Sequence, residues 1–361
     1  MQYKLLSVEG ERETNIGDYI QALASRQFLP HVDGFINREE LKSYQGEDSK
    51  MIMNGWFMHH PEQWPPSEKI HPLFVAFHIN ELAKDTLLSD ESIAYLKAHE
   101  PIGCRDTHTT DMLKAKGVKA YFSGCMTLTL GYSFTNNNKT DDVYFVDPYF
   151  KTDWNVKEIV RNAFYLLFHY SSVSKIASKY PSNKRGLRKK MILVAFYREY
   201  RKVFSKKTLL DGTYINQQSH DIMESLPTNE DRMKEAEWLV RLYAKAKFVV
   251  TSRIHCALPC LGLGTPVLYV EDINQSVASS CRLGGLIELM NVAMWNRGCL
   301  ELSEDLKKSI RYGTLRNKPL GGVVNVLIKK CCNYSANARP IPLSDGYLNY
   351  EPCLNAYQSA K

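Results

Sequence analysis

Apolar residues recur along this chain in two spacings. Short runs at residues 3–8, 51–54, 73–77, 118–122, 143–146, 247–250 and 266–270 read as buried strands. Between them, apolar residues return every three or four positions. These segments predict helices over residues 19–28, 90–99, 107–116, 156–180 and 229–246, the first with Ile20, Leu23 and Ala24 on one face. A small-residue helix over 255–264, closed by Gly264 and Pro266, separates the runs at 247–250 and 266–270. Strand, crossover helix, strand is the unit that builds a parallel sheet covered by helices. Residues 282–290 and 299–330 also read as helical. The Asn-rich stretch 132–142 reads as a linker. The pattern therefore predicts an α/β chain of two domains, residues 1–135 and 143–330, with an irregular tail over 331–361. No internal repeat is visible.

Composition narrows this picture. The 361 residues suffice for two cores. No apolar run approaches the roughly 20 residues that span a bilayer, and the start MQYKLL has no apolar signal-peptide region. Nine cysteines, with no Cys-x-x-Cys pair, fit a reducing cytoplasm better than a disulfide framework or a zinc site, and no metal centre is expected. The net charge of +7 is local. Ten Lys or Arg and one Glu lie between Lys184 and Lys207, a net of +9, so the remainder carries −2. With no nucleic-acid-binding signature beside it, this segment is read either as a solvated helix face or as a contact with an anionic membrane surface.

Candidate chemistry falls at predicted strand ends, where open α/β sheets bind ligands. The turn TSRIH places Ser252, Arg253 and His255 at a helix start, a setting suited to phosphate or carboxylate. The same residues also fit a plain capped helix, with Thr251 or Ser252 as N-cap. Asp18 follows Asn15-Ile16-Gly17 and reads as an N-cap or as a base in a cleft. Asn54 and Trp56 read as a turn, since Asn-Gly favours hairpins, or as a sugar-facing pair. His78 and Asn80 end the next strand in the same layer. Arg105 and Asp106 precede a helix and read as an ion pair, a cap, or site residues. No G-x-G-x-x-G is present, so no dinucleotide cofactor is expected.

The stretch AKFVVTSRIHCALPCLGLGTPVLYV resembles the C-terminal signature of the polysaccharide pyruvyl transferase family. NIGDYIQ at Asn15–Gln21, IGCRDTHTTDMLKAKGV at Ile102–Val118 and SGCMTLTL at Ser123–Leu130 match in the same order. The resemblance implies two Rossmann-like domains in a GT-B-like arrangement, with the site in the interdomain cleft. It implies transfer of the enolpyruvyl unit of phosphoenolpyruvate, the co-substrate, onto two hydroxyls of a sugar. The product is a cyclic pyruvate ketal, phosphate is released, and no further cofactor is required.

That reaction needs cations for a carboxylate and a phosphate, an acid for the methylene carbon and a base for the hydroxyl. The expected donor set is Arg105, Arg253, Ser252 and His255, with His255 as acid and Asp18 as base, Asp106 in reserve. Asn54, Trp56, His78 and Asn80 form the expected acceptor set. The expected acceptor is a surface polysaccharide or its polyprenyl-diphosphate-linked precursor, handled at the cytoplasmic face of the membrane. Two other classes fit the same pattern. One is a nucleotide-sugar glycosyltransferase, with Arg253 on a diphosphate and Glu271 on a ribose. The other is a non-catalytic assembly protein.

Overall fold

Two six-stranded sheets carry the chain. The computed structural model describes residues 1–8, 15–134, 136–274 and 281–335. The first sheet holds β1 (Gln2–Ser7), β2 (Phe35–Asn37), β3 (Ser49–Phe57), β4 (Ile70–Ile79), β5 (Ile102–Cys104) and β6 (Ala120–Phe122), in the order β2-β1-β3-β4-β5-β6. All its pairings are parallel. The second holds β7 (Val143–Val146), β8 (Thr213–Ile215), β9 (Phe248–Thr251), β10 (Val267–Asp272), β11 (Asn291–Asn296) and β12 (Cys299–Glu301). Its order is β8-β7-β9-β10-β11-β12, parallel except for the antiparallel β11–β12 pair. Renumbered from its own first strand, the second sheet repeats the order of the first. This repeat is topological, with no counterpart in the residues. The architecture is mixed α/β and compatible with two Rossmann-like domains. In each sheet the order reverses beside the first strand, between β1 and β3 and between β7 and β9. Sheets of this kind bind ligands outside the carboxyl ends of such strands.

The helices Gly17–Arg26 and Ile254–Gly262 follow β1 and β9 directly. Ile20, Leu23 and Ala24 of the first share one apolar core with Leu239, Tyr243 and Ala257 of the second half. The two halves also meet backbone to backbone. A Cβ added to Gly131 would lie 2.2 Å from the Gly262 carbonyl oxygen, and one added to Gly262 would lie 2.6 Å from that of Leu128. Only glycine permits this approach. The last described helix, Val323–Ser335, returns to the first sheet, where the Tyr334 hydroxyl accepts from the Met51 amide at 2.8 Å.

Several expectations change. Asn54-Gly55 is no hairpin turn: β3 runs through it with a register shift between Met53 and Gly55, and Gly55 supplies the φ of +109° that a bulge requires. Residues 102–104 form a strand too short to show a period. Thr127 and Thr129, which alternate like strand residues, lie in the 3₁₀ turn Met126–Tyr132. There Thr129 Oγ1 donates to the Met126 carbonyl. Residues 282–290 hold two short 3₁₀ turns rather than a helix, and β11 and β12 follow where no strand was expected. The tail call beyond residue 335 lies outside the described residues, as do 9–14 of the first loop. The basic segment divides. Leu193, Val194, Phe196, Tyr197 and Tyr200 of the helix Gly186–Tyr200 pack into the second core, so they cannot enter a membrane. Lys184, Arg185 and Arg188 remain exposed. No helix among the described residues is long and apolar enough to cross a bilayer.

Candidate active site

The loop after β1 delivers Asp18. Asn15 Oδ1 accepts from the Gly17 amide at 3.0 Å, so Asn15 holds the loop and Ile16 takes the cap position that the sequence offered to Asp18. Asp18 stands in the first turn, where Gln21 Nε2 donates to its Oδ1 at 2.9 Å. Burial lifts the pKa of Asp18 above its ordinary value, opposed by the charges of Arg38, Arg105 and His59. Gln21 Oε1 is buried without a hydrogen-bond partner.

The ends of β4 and β5 deliver His78, Arg105 and Asp106. Asp106 is the N-cap of the helix Thr107–Ala115, accepting from the Thr109 amide at 2.8 Å. Its other oxygen lies 2.6 Å from His78 Nδ1. Burial, and then repulsion from Arg105, lower His78 to about 4 against the pull of Asp106. A neutral His78 therefore donates through Nδ1 and leaves Nε2 as an acceptor. Arg105 is buried, with Nε unpartnered. Burial lowers its pKa, while the charges of Asp106 and Asp18 raise it.

The second sheet contributes through β7 and β9. Asp147 follows β7 with a left-handed backbone, φ +41°. Its Oδ2 accepts from the Gln217 amide at 2.9 Å, the Gln218 amide at 3.2 Å and Arg253 Nε at 3.1 Å. Ser252 Oγ donates to the Asp147 carbonyl at 2.7 Å. Neither Thr251 nor Ser252 caps the following helix. Arg253 occupies that position without a side-chain bond, so the first-turn N–H groups keep no side-chain acceptor. His255 departs from helical geometry, at φ −84° and ψ 18°. This sparsely populated region recurs at active-site residues. Gln217 Nε2 donates to the His255 carbonyl at 3.3 Å and fixes the backbone. His255 is buried with Nε2 unpartnered, and burial, then Arg105, Arg282 and Arg38, push its pKa well below the ordinary value.

The residues expected on the acceptor side divide. Asn54 accepts from Ser25 Oγ at 2.7 Å and donates to the Gln21 carbonyl, tying the first helix to β3. Asn80 donates to the Met58 carbonyl and accepts from the Leu82 amide. Both amide groups are thus taken up by the fold. Trp56 carries Arg38 over its ring, with Cζ 5.0 Å from the centroid, so a cation stands against the face expected for a sugar.

Two residues absent from the sequence reading join the group. Arg38, just beyond β2, is buried and pairs with Glu39 at 3.0 Å. Arg282, in the turn Cys281–Leu283, has a buried, unpartnered Nε. The strand signal at Phe35-Ile36 and the Gly284-Gly285 pair mark these positions as loop sites, but nothing local gives either arginine a function. Arg38, Arg105 and Arg282 all act on His255, whereas Arg253 acts on Asp147, Tyr180 and Tyr269. Elements from both sheets thus bring three guanidinium groups, Asp18, His78 and His255 within electrostatic reach of one another. Four buried polar atoms among them lack a partner: Arg105 Nε, Arg282 Nε, His255 Nε2 and Gln21 Oε1. Each such atom costs roughly 1–3 kcal/mol when left unsatisfied; an anionic ligand would relieve the two arginine N–H donors, whereas the Gln21 carbonyl oxygen calls for a donor such as a hydroxyl. By contrast, a groove of about 1040 Å³ opens at the amino ends of β7 and β9, away from these groups. Its Lys207 and Lys247 are already paired with Asp211 and Asp141.

No curated protein and no solved structure matches the chain. The family model for polysaccharide pyruvyl transferase matches residues 15–272, from the Asn15 that opens the first site loop to the Asp272 that ends β10, and the chain belongs to that family.

Proposed function

We propose that the protein transfers the enolpyruvyl group of phosphoenolpyruvate to two hydroxyls of one sugar in a surface polysaccharide or its lipid-linked precursor. The observation that carries this reading is the convergence of Arg38, Arg105 and Arg282 on a buried, neutral His255. The co-substrate brings a carboxylate and a phosphate, groups that guanidinium donors complement. Arg105 and Arg282 hold the anion in this reading, with the helix start at Ile254 as a further donor. Arg253, fixed by Asp147, lines the second-sheet side.

The chemistry follows from the charge change on binding. Burial first, and then arginine repulsion, keep His255 deprotonated in the free protein. A bound polyanion offsets that repulsion, and His255 takes up a proton. It then protonates the methylene carbon C3, and positive charge develops at C2. A sugar hydroxyl adds to C2 as Asp18 removes its proton. The raised pKa of Asp18 brings it nearer the operating pH, which favours a base, whereas Asp106 is held low by His78 and by its capping bond. The second hydroxyl then displaces phosphate from C2 as its proton passes to His255, neutral again after protonating C3, and the ketal closes. His78 faces the acceptor in this scheme.

Deuterium oxide tests the scheme. Run with phosphoenolpyruvate and lipid-linked oligosaccharide extracted from the producing cells, the reaction places one solvent deuterium in the ketal methyl group and releases one phosphate per transfer. Consumption of a nucleotide sugar in place of phosphoenolpyruvate contradicts it.

A further inference from the structure

The helix Val156–Lys179 is apolar on two faces. One face packs Leu166, Val173 and Ile176 into the second core. The other holds Val156, Val160, Phe164, Leu167 and Phe168 out to solvent, with Trp154 just before the helix. Helical spacing stacks these residues into one stripe. Phe164 is 63 % exposed, Leu167 75 % and Phe168 71 %. Scattered apolar residues on a surface call for no explanation, but a contiguous aromatic stripe marks a contact.

A basic cluster borders the stripe. Lys190 Nζ lies 4.1 Å from the Tyr170 ring centroid, joining the stripe helix to the helix Gly186–Tyr200. Around the start of that second helix stand exposed Lys184, Arg185 and Arg188, with Leu187 exposed among them. Exposed Lys157 and Arg161 lie on the stripe helix itself. Aromatic and aliphatic side chains flanked by exposed lysine and arginine match an anionic lipid surface, where apolar groups enter the acyl boundary and cations meet headgroups. A second copy of the same face would bring like charges together.

We propose that the face built from Trp154, Phe164, Leu167 and Phe168, with Lys184, Arg185 and Arg188 beside it, docks the protein on an anionic membrane. The insertion element is therefore the aromatic helix, and the basic segment supplies only the charge. The loop from β7 into this helix leaves the carboxyl end of the second sheet, the end that carries Ser252 and Arg253. This inference does not depend on which donor the enzyme uses.

Vesicle sedimentation at physiological salt tests it, with phosphatidylcholine alone and with about one third phosphatidylglycerol. The full chain sediments with the anionic vesicles and not with the neutral ones. Phe164→Glu/Phe168→Glu and Lys184→Ser/Arg185→Ser/Arg188→Ser each lower the bound fraction at fixed lipid by about tenfold or more. Thermal unfolding and phosphoenolpyruvate binding of these variants stay unchanged, which separates lost docking from lost folding or a failed donor assignment. No vesicle binding by the unmodified protein overturns the proposal. So does full binding by the Phe164→Glu/Phe168→Glu variant, or a stable dimer that this variant dissolves.

Discussion

Gly17 and His255 touch across the two halves of the protein: a Cβ added to Gly17 would stand 2.7 Å from His255 Cβ. The loop that delivers Asp18 and the loop that delivers His255 are therefore seated on each other, and the seat has no room for a methyl group. His255 Cβ cannot swing aside, because it is fixed by the backbone that Gln217 holds. Gly17→Ala should push the first helix away from β9. We expect a loss of roughly 1–3 kcal/mol in stability. Turnover should fall further than that loss explains, because Asp18 and His255 move apart. Denaturant unfolding beside steady-state turnover checks this, and unchanged turnover in a folded variant contradicts it.

Arg105→Ala and Arg282→Ala should each weaken phosphoenolpyruvate binding by roughly 2–5 kcal/mol, because each leaves a buried anionic group short of a partner. Arg282 is the sharper test, since only its place in the fold assigns it. Calorimetric titration of each variant measures the loss. Wild-type affinity in Arg282→Ala removes that residue from the donor site.

Arg253→Ala should act first on the fold. Asp147 is buried, and burial lifts its pKa while Arg253 and two backbone amides pull it down. Loss of Arg253 lifts it further. A carboxyl raised above its unfolded value costs stability above that value, and the cost fades as pH falls. Arg253→Ala should therefore be more destabilising at pH 7 than at pH 4, and Asp147→Asn should remove the difference. Equal losses at both pH values contradict the pairing.

His78 gives the opposite sign. Its folded pKa of about 4 lies below the ordinary 6.5, so the unfolded chain binds more protons between these values. Stability from this group is complete above pH 6.5 and is lost as pH falls toward 4, by about 3 kcal/mol. His78→Asn keeps a donor for Asp106 and should flatten the stability profile over that window. Urea unfolding at intervals between pH 7 and 4 compares the two proteins.

Much of this arrangement was legible before the fold was known. The run 247–270 gave strand, helix and strand within a residue or two, because buried strands and small-residue helices differ in length and punctuation. Asp18, Arg105 and His255 were reachable because signature stretches carry them. Arg38 and Arg282 were not, because each is a lone cation in a loop whose meaning comes from the neighbours that chain folding supplies. Asn54 and Asn80 looked like free amides in sequence, yet local backbone groups occupy both. The aromatic residues of helix Val156–Lys179 were visible, but periodicity could not tell which apolar face met the core.

Binding of phosphoenolpyruvate tests the central claim most directly. Calorimetry near pH 7, in buffers of different ionisation enthalpy, should show heat with phosphoenolpyruvate and none with uridine diphosphate. Proton uptake should accompany binding and vanish in His255→Ala, which should still bind but not turn over. Heat with uridine diphosphate alone would contradict the account and assign the site to a nucleotide sugar.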